Sequence, residues 1–160
     1  CTDKMAELAG AAAEGLLCSQ AGIPAEAADR QFLDNYKKKF NIDPLIYSPF
    51  TYDATKMLAA AMQQANSADP AKYLPVLSTL QYRGATGAIA FDAKGDRKDA
   101  EMTIFTMKAG RITPIAVIKG GQTQTFEAFK AAGAAAPVIA PAAGAQSTQG
   151  AQATQGTDKK

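Results

Sequence analysis

Histidine is absent from the 160 residues, which closes a large part of catalytic chemistry to this chain. Ser/His/Asp and Cys/His triads and every zinc site built with imidazole are excluded. Two cysteines cannot furnish a four-cysteine zinc site or an iron–sulfur cluster. Asp92-x-Lys94-Gly95-Asp96 has the look of a cation loop, but Lys stands at the third position, where a calcium loop needs an oxygen ligand, and Gly falls at the fourth instead of the sixth. A tight turn between strands accounts for it instead. Neither G-x-G-x-x-G nor G-x-x-x-x-G-K-[ST] occurs, so no glycine-rich phosphate cradle is present. Asp3, Glu7 and Glu14 are carboxylates on short helical stretches, with no nucleophile or base paired to them.

Three features keep a chemical interest. Cys1 admits three readings: a lipidated first residue, a free thiol, or a disulfide with Cys18. The disulfide closes a loop of ordinary size and implies an oxidising compartment. Tyr47 sits in a loop just before a helix N-terminus, a common place for a ligand contact. Its other reading is packing on Phe50 or on a neighbouring strand. Lys37-Lys38-Lys39 invites a phosphate reading, but a solvated helix end explains it.

The charge balance, 17 basic against 15 acidic residues, shows no basic excess of the kind nucleic acid requires. No apolar run reaches the roughly 18 residues that span a bilayer. The chain does not open with Met, and no charged-then-apolar signal segment is visible, which fits a processed precursor or a fragment. By exclusion, binding is expected rather than catalysis, without a cofactor, nucleic acid or direct membrane insertion.

The elements that must position these residues follow from period and punctuation. Thr2 or Asp3 caps a short helix to about Ala9. Leu16-Leu17-Cys18-Ser19 reads as a buried strand, and Gly22 and Pro24 as a loop. Ala27 to Phe40 reads as a helix with Phe32, Leu33, Tyr36 and Phe40 on one face. Ser48-Pro49 reads as an N-cap and first helical position. That helix runs to about Asn66, with Phe50, Ala54, Met57, Leu58, Ala61, Met62 and Ala65 as its apolar face. Asp69-Pro70 starts another helix to about Leu80, which Pro75 should kink or shorten. Gly84 and Gly87 flank a turn. Ala88 to Phe91 reads as a strand, and Met102 to Met107 alternates with period two. Ala109-Gly110 turns into a strand over Ile112 to Ile118, and Gly120-Gly121 reads as an isolated loop. These strands and four helices, with a terminal hairpin, do not make a self-contained doubly wound sheet. Residues 131–160 are rich in Ala, Gly and Gln and hold only Val138 and Ile139 as large apolar residues. They form an expected disordered tail.

Four segments together resemble the leucine/isoleucine/valine-binding periplasmic proteins. Ala9-Gly10-Ala11-Ala12-Ala13-Glu14-Gly15 resembles their "AG-x-x-AEG" stretch. Ile46-Tyr47-Ser48-Pro49-Phe50-Thr51-Tyr52-Asp53-Ala54 resembles "IYAPYAYDA". Ser67 to Leu74 resembles "S-x-DPAKYL", and Gly84 to Asp96 resembles "GVTG-x-I-x-FD-x-KGD". The matches fall in the family's order between about Thr2 and Ile118.

The resemblance implies an α/β fold: the C-terminal portion of a two-lobed periplasmic-binding-protein-like fold, incomplete, with a disordered tail. Residues 1–118 would supply parts of both lobes, 119–130 a C-terminal extension and 131–160 the tail. The implied function is the periplasmic substrate-binding component of an ABC transporter for branched-chain or related amino acids. Its partners would be a small-molecule amino acid and a membrane ABC permease. Tyr47 takes the position of an aromatic that lines the cleft near the ligand side chain, and Tyr52 and Asp53 secure helix and hinge. The carboxylate contacts and the acidic residue that meets the ligand ammonium would lie upstream of Cys1. The alternative is a ligand-sensing or structural lipoprotein domain of the same fold beginning at Cys1.

Overall fold

The computed structural model describes residues 1–2 and 4–134. Asp3, one of the two expected caps, and residues 135–160, most of the expected tail, lie outside the described residues. The described elements form two bodies, one helical and one built on a sheet.

The helical body contains α2 (Arg30–Phe40), α3 (Ser48–Gln64), α4 (Pro70–Thr79) and a hairpin of β2 (Tyr82–Gly84) and β3 (Gly87–Ile89). α2 starts later than the Ala27 expected, because Ala25–Ala27 forms a separate tight turn after Pro24. The true cap is Asp29, whose carboxylate accepts from the Phe32 N–H at 3.1 Å. The helix ends at Asn41, in the left-handed region with φ of 57°, which Asn tolerates better than most residues. Phe32, Ala28 and Ala85 form a small core with Leu33 and Tyr36 packed against it.

α3 corrects two expectations. Ser48 lies inside the helix rather than capping it, and Tyr47 holds the cap position without a side-chain bond. The Ser48 hydroxyl turns back, accepting from the Leu45 N–H at 3.1 Å and donating to the Tyr36 hydroxyl at 3.4 Å. The buried stripe is Pro49, Asp53, Met57 and Ala61, spaced four apart. Ala54 and Leu58, expected on the apolar face, are exposed, since no sheet covers that side among the described residues. α4 begins as expected, with the Asp69 carboxylate accepting from the Ala71 N–H at 3.0 Å. It continues past Pro75 to Thr79.

The second body is a four-stranded antiparallel sheet in the order β1 (Leu17–Ala21), β4 (Glu101–Lys108), β5 (Arg111–Lys119), β6 (Gln122–Thr125). α5 (Phe126–Ala134) lies on β5 and β6, and α1 (Lys4–Ala9) precedes β1 in the chain. β4 shows the expected alternation, with Glu101, Thr103, Phe105 and Met107 all buried. β1 does not form the buried strand expected. It is an edge strand whose period of two turns Leu17 outward, 65% exposed, and the Cys18 and Gln20 side inward.

Gly120-Gly121, read as an isolated loop, is the β5–β6 hairpin turn, with φ of 54° and 76°. Such a turn needs positive φ at both positions, which glycine takes without strain. The residues set apart as an extension form β6 and most of α5, and α5 runs on through Ala134, into the expected tail. Alanine's high helix propensity carries it there. Six strands and five α-helices therefore stand among the described residues, against four strands and four helices expected.

Two segments cross between the bodies, residues 22–28 and 90–100. At the first, Gly22 donates its N–H to the Glu101 carbonyl at 2.7 Å, and the Thr103 hydroxyl donates to the Gly22 carbonyl at 2.6 Å.

Candidate functional site

Tyr47 stands at the head of α3, its ring 60% exposed. Its carbonyl accepts the Thr51 N–H at 3.0 Å, so the backbone is fixed while the side chain is free. A row of aromatics holds the surroundings. Ring centroids of Tyr36 and Phe40 lie 4.7 Å apart, Phe32 and Tyr36 5.7 Å, and Phe32 and Tyr52 5.2 Å. Phe40, Ile42 and Leu45 are exposed beside Tyr47 in sequence. Phe50, the packing partner considered for Tyr47, instead has its ring against Gly22. Chemically, Tyr47 offers an apolar wall with a hydroxyl at its tip, suited to an aliphatic ligand group.

Cys1 and Cys18 are joined, with Cα atoms 5.8 Å apart, inside the range a disulfide spans. The bond ties the start of the chain to edge strand β1, in the sheet body, whereas Tyr47 belongs to the helical body. Glu7 pairs with Lys4 on the surface, and Glu14 accepts from the Ala109 N–H at 3.1 Å. Neither faces a partner for acid–base work. Asp92 holds its own turn, accepting from the Lys94 and Asp96 N–H groups at 2.8 and 2.9 Å. Among the described residues no three of His, Cys, Asp and Glu are grouped as metal ligands.

Two buried carboxylates stand out: Asp53, which the resemblance assigned to securing helix and hinge, and Glu101, which no reading of the residues singled out. Asp53 is 1% exposed and accepts three hydrogen bonds from the β2–β3 turn: the Ala85 N–H at 2.7 Å, the Thr86 N–H at 2.8 Å and the Thr86 hydroxyl at 2.7 Å. The signal was an aspartate in register with Pro49, Met57 and Ala61 on the helix face that points inward. Glu101 is 6% exposed. Its Oε1 accepts from Lys119 Nζ at 2.8 Å, and its Oε2 lies 3.5 Å from the Arg97 guanidinium.

Two concavities are described, and neither is lined by Tyr47. The larger, about 770 Å3, opens between the two bodies, bounded by Glu26, Arg83 and Thr86 on one side and Glu101, Lys119 and Lys130 on the other. Partial burial raises the Glu26 pKa above the ordinary carboxylate value; Lys130 and then Arg111 oppose the shift, and Glu127 adds to it. Among the described residues no helix is long and apolar enough to cross a membrane.

The chain matches the periplasmic binding protein family over residues 2–111. It is 31% identical over 100 residues to the leucine-, isoleucine-, valine-, threonine- and alanine-binding protein of Pseudomonas aeruginosa. That match takes in 61% of this chain and 26% of the relative. Among solved structures, the leucine binding protein LivK of Thermotoga maritima superposes with a TM-score of 0.63 at 30% identity, covering 74% of this chain and 35% of LivK. An ABC transporter substrate-binding protein of Desulfitobacterium hafniense in complex with Leu gives 0.56 at 28% identity, covering 65% and 32%. The chain thus spans about a quarter to a third of the length of these relatives.

Proposed function

This chain belongs to the periplasmic binding protein family, and from that premise we propose that it is the C-terminal portion of the substrate-binding component of an ABC transporter for branched-chain or related amino acids. It works in the periplasm and delivers its ligand to a membrane permease, with no catalytic step. The observation that carries this reading is the match over residues 2–111, supported by the leucine-binding relatives. In this reading residues 1–118 contribute to both lobes.

A zwitterionic amino acid loses its hydration when two lobes close on it. Hydroxyls and backbone N–H groups must replace water at the carboxylate, and a carboxylate must meet the ammonium. The branched side chain needs an apolar wall, and Tyr47 supplies it. The exposure of Tyr47 fits a wall whose opposite side comes from residues outside this chain. Closure around the ligand then reports occupancy to the permease.

The test is a chimera in which this chain replaces the matching third of the Thermotoga maritima leucine binding protein. Isothermal titration with L-leucine should show saturable binding, weakened about tenfold by Tyr47→Ala through loss of the apolar wall. A folded chimera that binds no branched-chain amino acid overturns the transport reading. Unchanged affinity in Tyr47→Ala removes Tyr47 from the site.

A further inference from the structure

A polar path runs from one body of the chain to the other. It starts at Asp53 on α3, which holds the Ala85-Thr86 turn. Arg97 takes it up, donating from one guanidinium nitrogen to the Thr86 and Ala88 carbonyls, each at 3.3 Å. Arg97 faces Glu101 at 3.5 Å, and Glu101 is held by Lys119 at 2.8 Å in the sheet. Every link but one is a hydrogen bond, and the exception is the Arg97–Glu101 ion pair at 3.5 Å. At the exception, Glu101 Oε2 and Arg97 Nε are each buried without a hydrogen-bond partner among the described residues. The gap lies where the chain crosses between the bodies, on the wall of the cleft of about 770 Å3 that separates them.

We infer that the Arg97–Glu101 pair is a latch between the helical body and the sheet body, a loose ion pair in this structure that tightens when the β2–β3 hairpin moves toward β4. Such a movement brings the guanidinium and carboxylate within hydrogen-bonding reach and gives two buried polar atoms their missing partners. Buried unpaired polar groups are costly and charge-assisted pairs are strong, so the pair biases the equilibrium between the two arrangements. Lys119 competes with Arg97 for the same carboxylate and holds it on the sheet side. The inference rests on reading the two bodies as parts of lobes that move relative to one another.

The experiment measures a distance across the cleft in the full chain, without ligand. Spin labels are placed on Ala88→Cys in β3 and Ala128→Cys in α5, the native cysteines being joined to each other. Glu101→Gln should widen the distance distribution about twofold as the latch loses its charge. Lys119→Gln should narrow and shorten it, because Glu101 is released to Arg97. Shifts of opposite sign are the mark of a latch; a pair that merely holds the fold together cannot narrow the distribution when a partner is removed. Unchanged distributions in folded variants, or shifts of the same sign, overturn the inference. If Glu101→Gln does not fold, Lys119→Gln decides alone: narrowing supports the latch and no change overturns it. Because no amino acid is added, failure here is separate from failure of the chimera to bind leucine.

Discussion

Thr86 is tied to Asp53 twice, through its backbone N–H at 2.8 Å and its hydroxyl at 2.7 Å, across 33 residues of sequence. With the Ala85 N–H this makes three donors on one buried carboxylate, and they are what seats the β2–β3 hairpin on α3. Removing the acceptor would strand two backbone N–H groups and a hydroxyl in a site closed to water. Asp53→Ala should therefore destabilise the chain by about 3 kcal/mol. Urea unfolding followed by circular dichroism checks this, and Thr86→Val, which loses only the hydroxyl bond, should cost about 1 kcal/mol.

Gly22 and Phe50 make a second tight joint, at the crossing from β1 to the helical body. A Cβ on Gly22 would collide with the Phe50 ring, and the residue sits at φ of +92°. Both objections act on Gly22→Ala: strain in the backbone and overpacking of a rigid ring. The expected loss is about 3 kcal/mol. Gly95→Ala, with φ of +87° but nothing within reach of its Cβ, should cost about 1 kcal/mol. The difference between the two melting curves isolates the collision.

The β4–β5 hairpin was legible because Ala109-Gly110 and a strict period of two in β4 mark it without help from the rest of the fold, whereas β2 was not read and β3 spans Gly87–Ile89 rather than the Ala88 to Phe91 expected. β1 was misread because four residues of mixed apolar character do not say which side of a strand is covered. β6 left no signal at all: Gln122-Thr123-Gln124-Thr125 is polar throughout, and only its pairing with β5 makes it a strand. At the candidate site, Tyr47 carried no mark of its own beyond its place before a helix, and the family resemblance alone assigned it to a cleft. Glu101 and Lys119 look like ordinary surface residues. Glu101 becomes buried and Lys119 reaches it from the surface because the β4–β5 register sets them directly opposite each other, which residue types cannot announce.

The Cys1–Cys18 bond spans 17 residues and fastens a helix, α1, that has no buried residue of its own. Cross-linking a loop of that size removes freedom from the unfolded chain and contributes about 3 kcal/mol. Reduction should lower the urea midpoint accordingly, and Cys1→Ser should reproduce the loss without added reductant. Intact mass should rise by two hydrogen atoms on reduction; equal masses before and after would show that the bond does not form.

Glu26 gives the chain a pH dependence whose sign is unusual for a carboxylate. Partial burial in the cleft wall, partly offset by Lys130 and Arg111, raises its pKa above the value of 4.5 it has when unfolded. The folded state then binds the proton more tightly than the unfolded state does. Stability from this group is present in full below pH 4.5 and is lost as pH rises through the raised folded value. Above that value the carboxylate is charged in a place that favours the neutral form. Glu26→Gln, uncharged at every pH, should therefore be more stable than the parent at pH 7. The advantage should shrink as pH falls toward 4.5, where the parent carboxyl becomes protonated as well. Urea midpoints of both proteins from pH 4 to 8 test this, and a stability difference that stays constant across the range would show that the burial of Glu26 leaves its titration untouched.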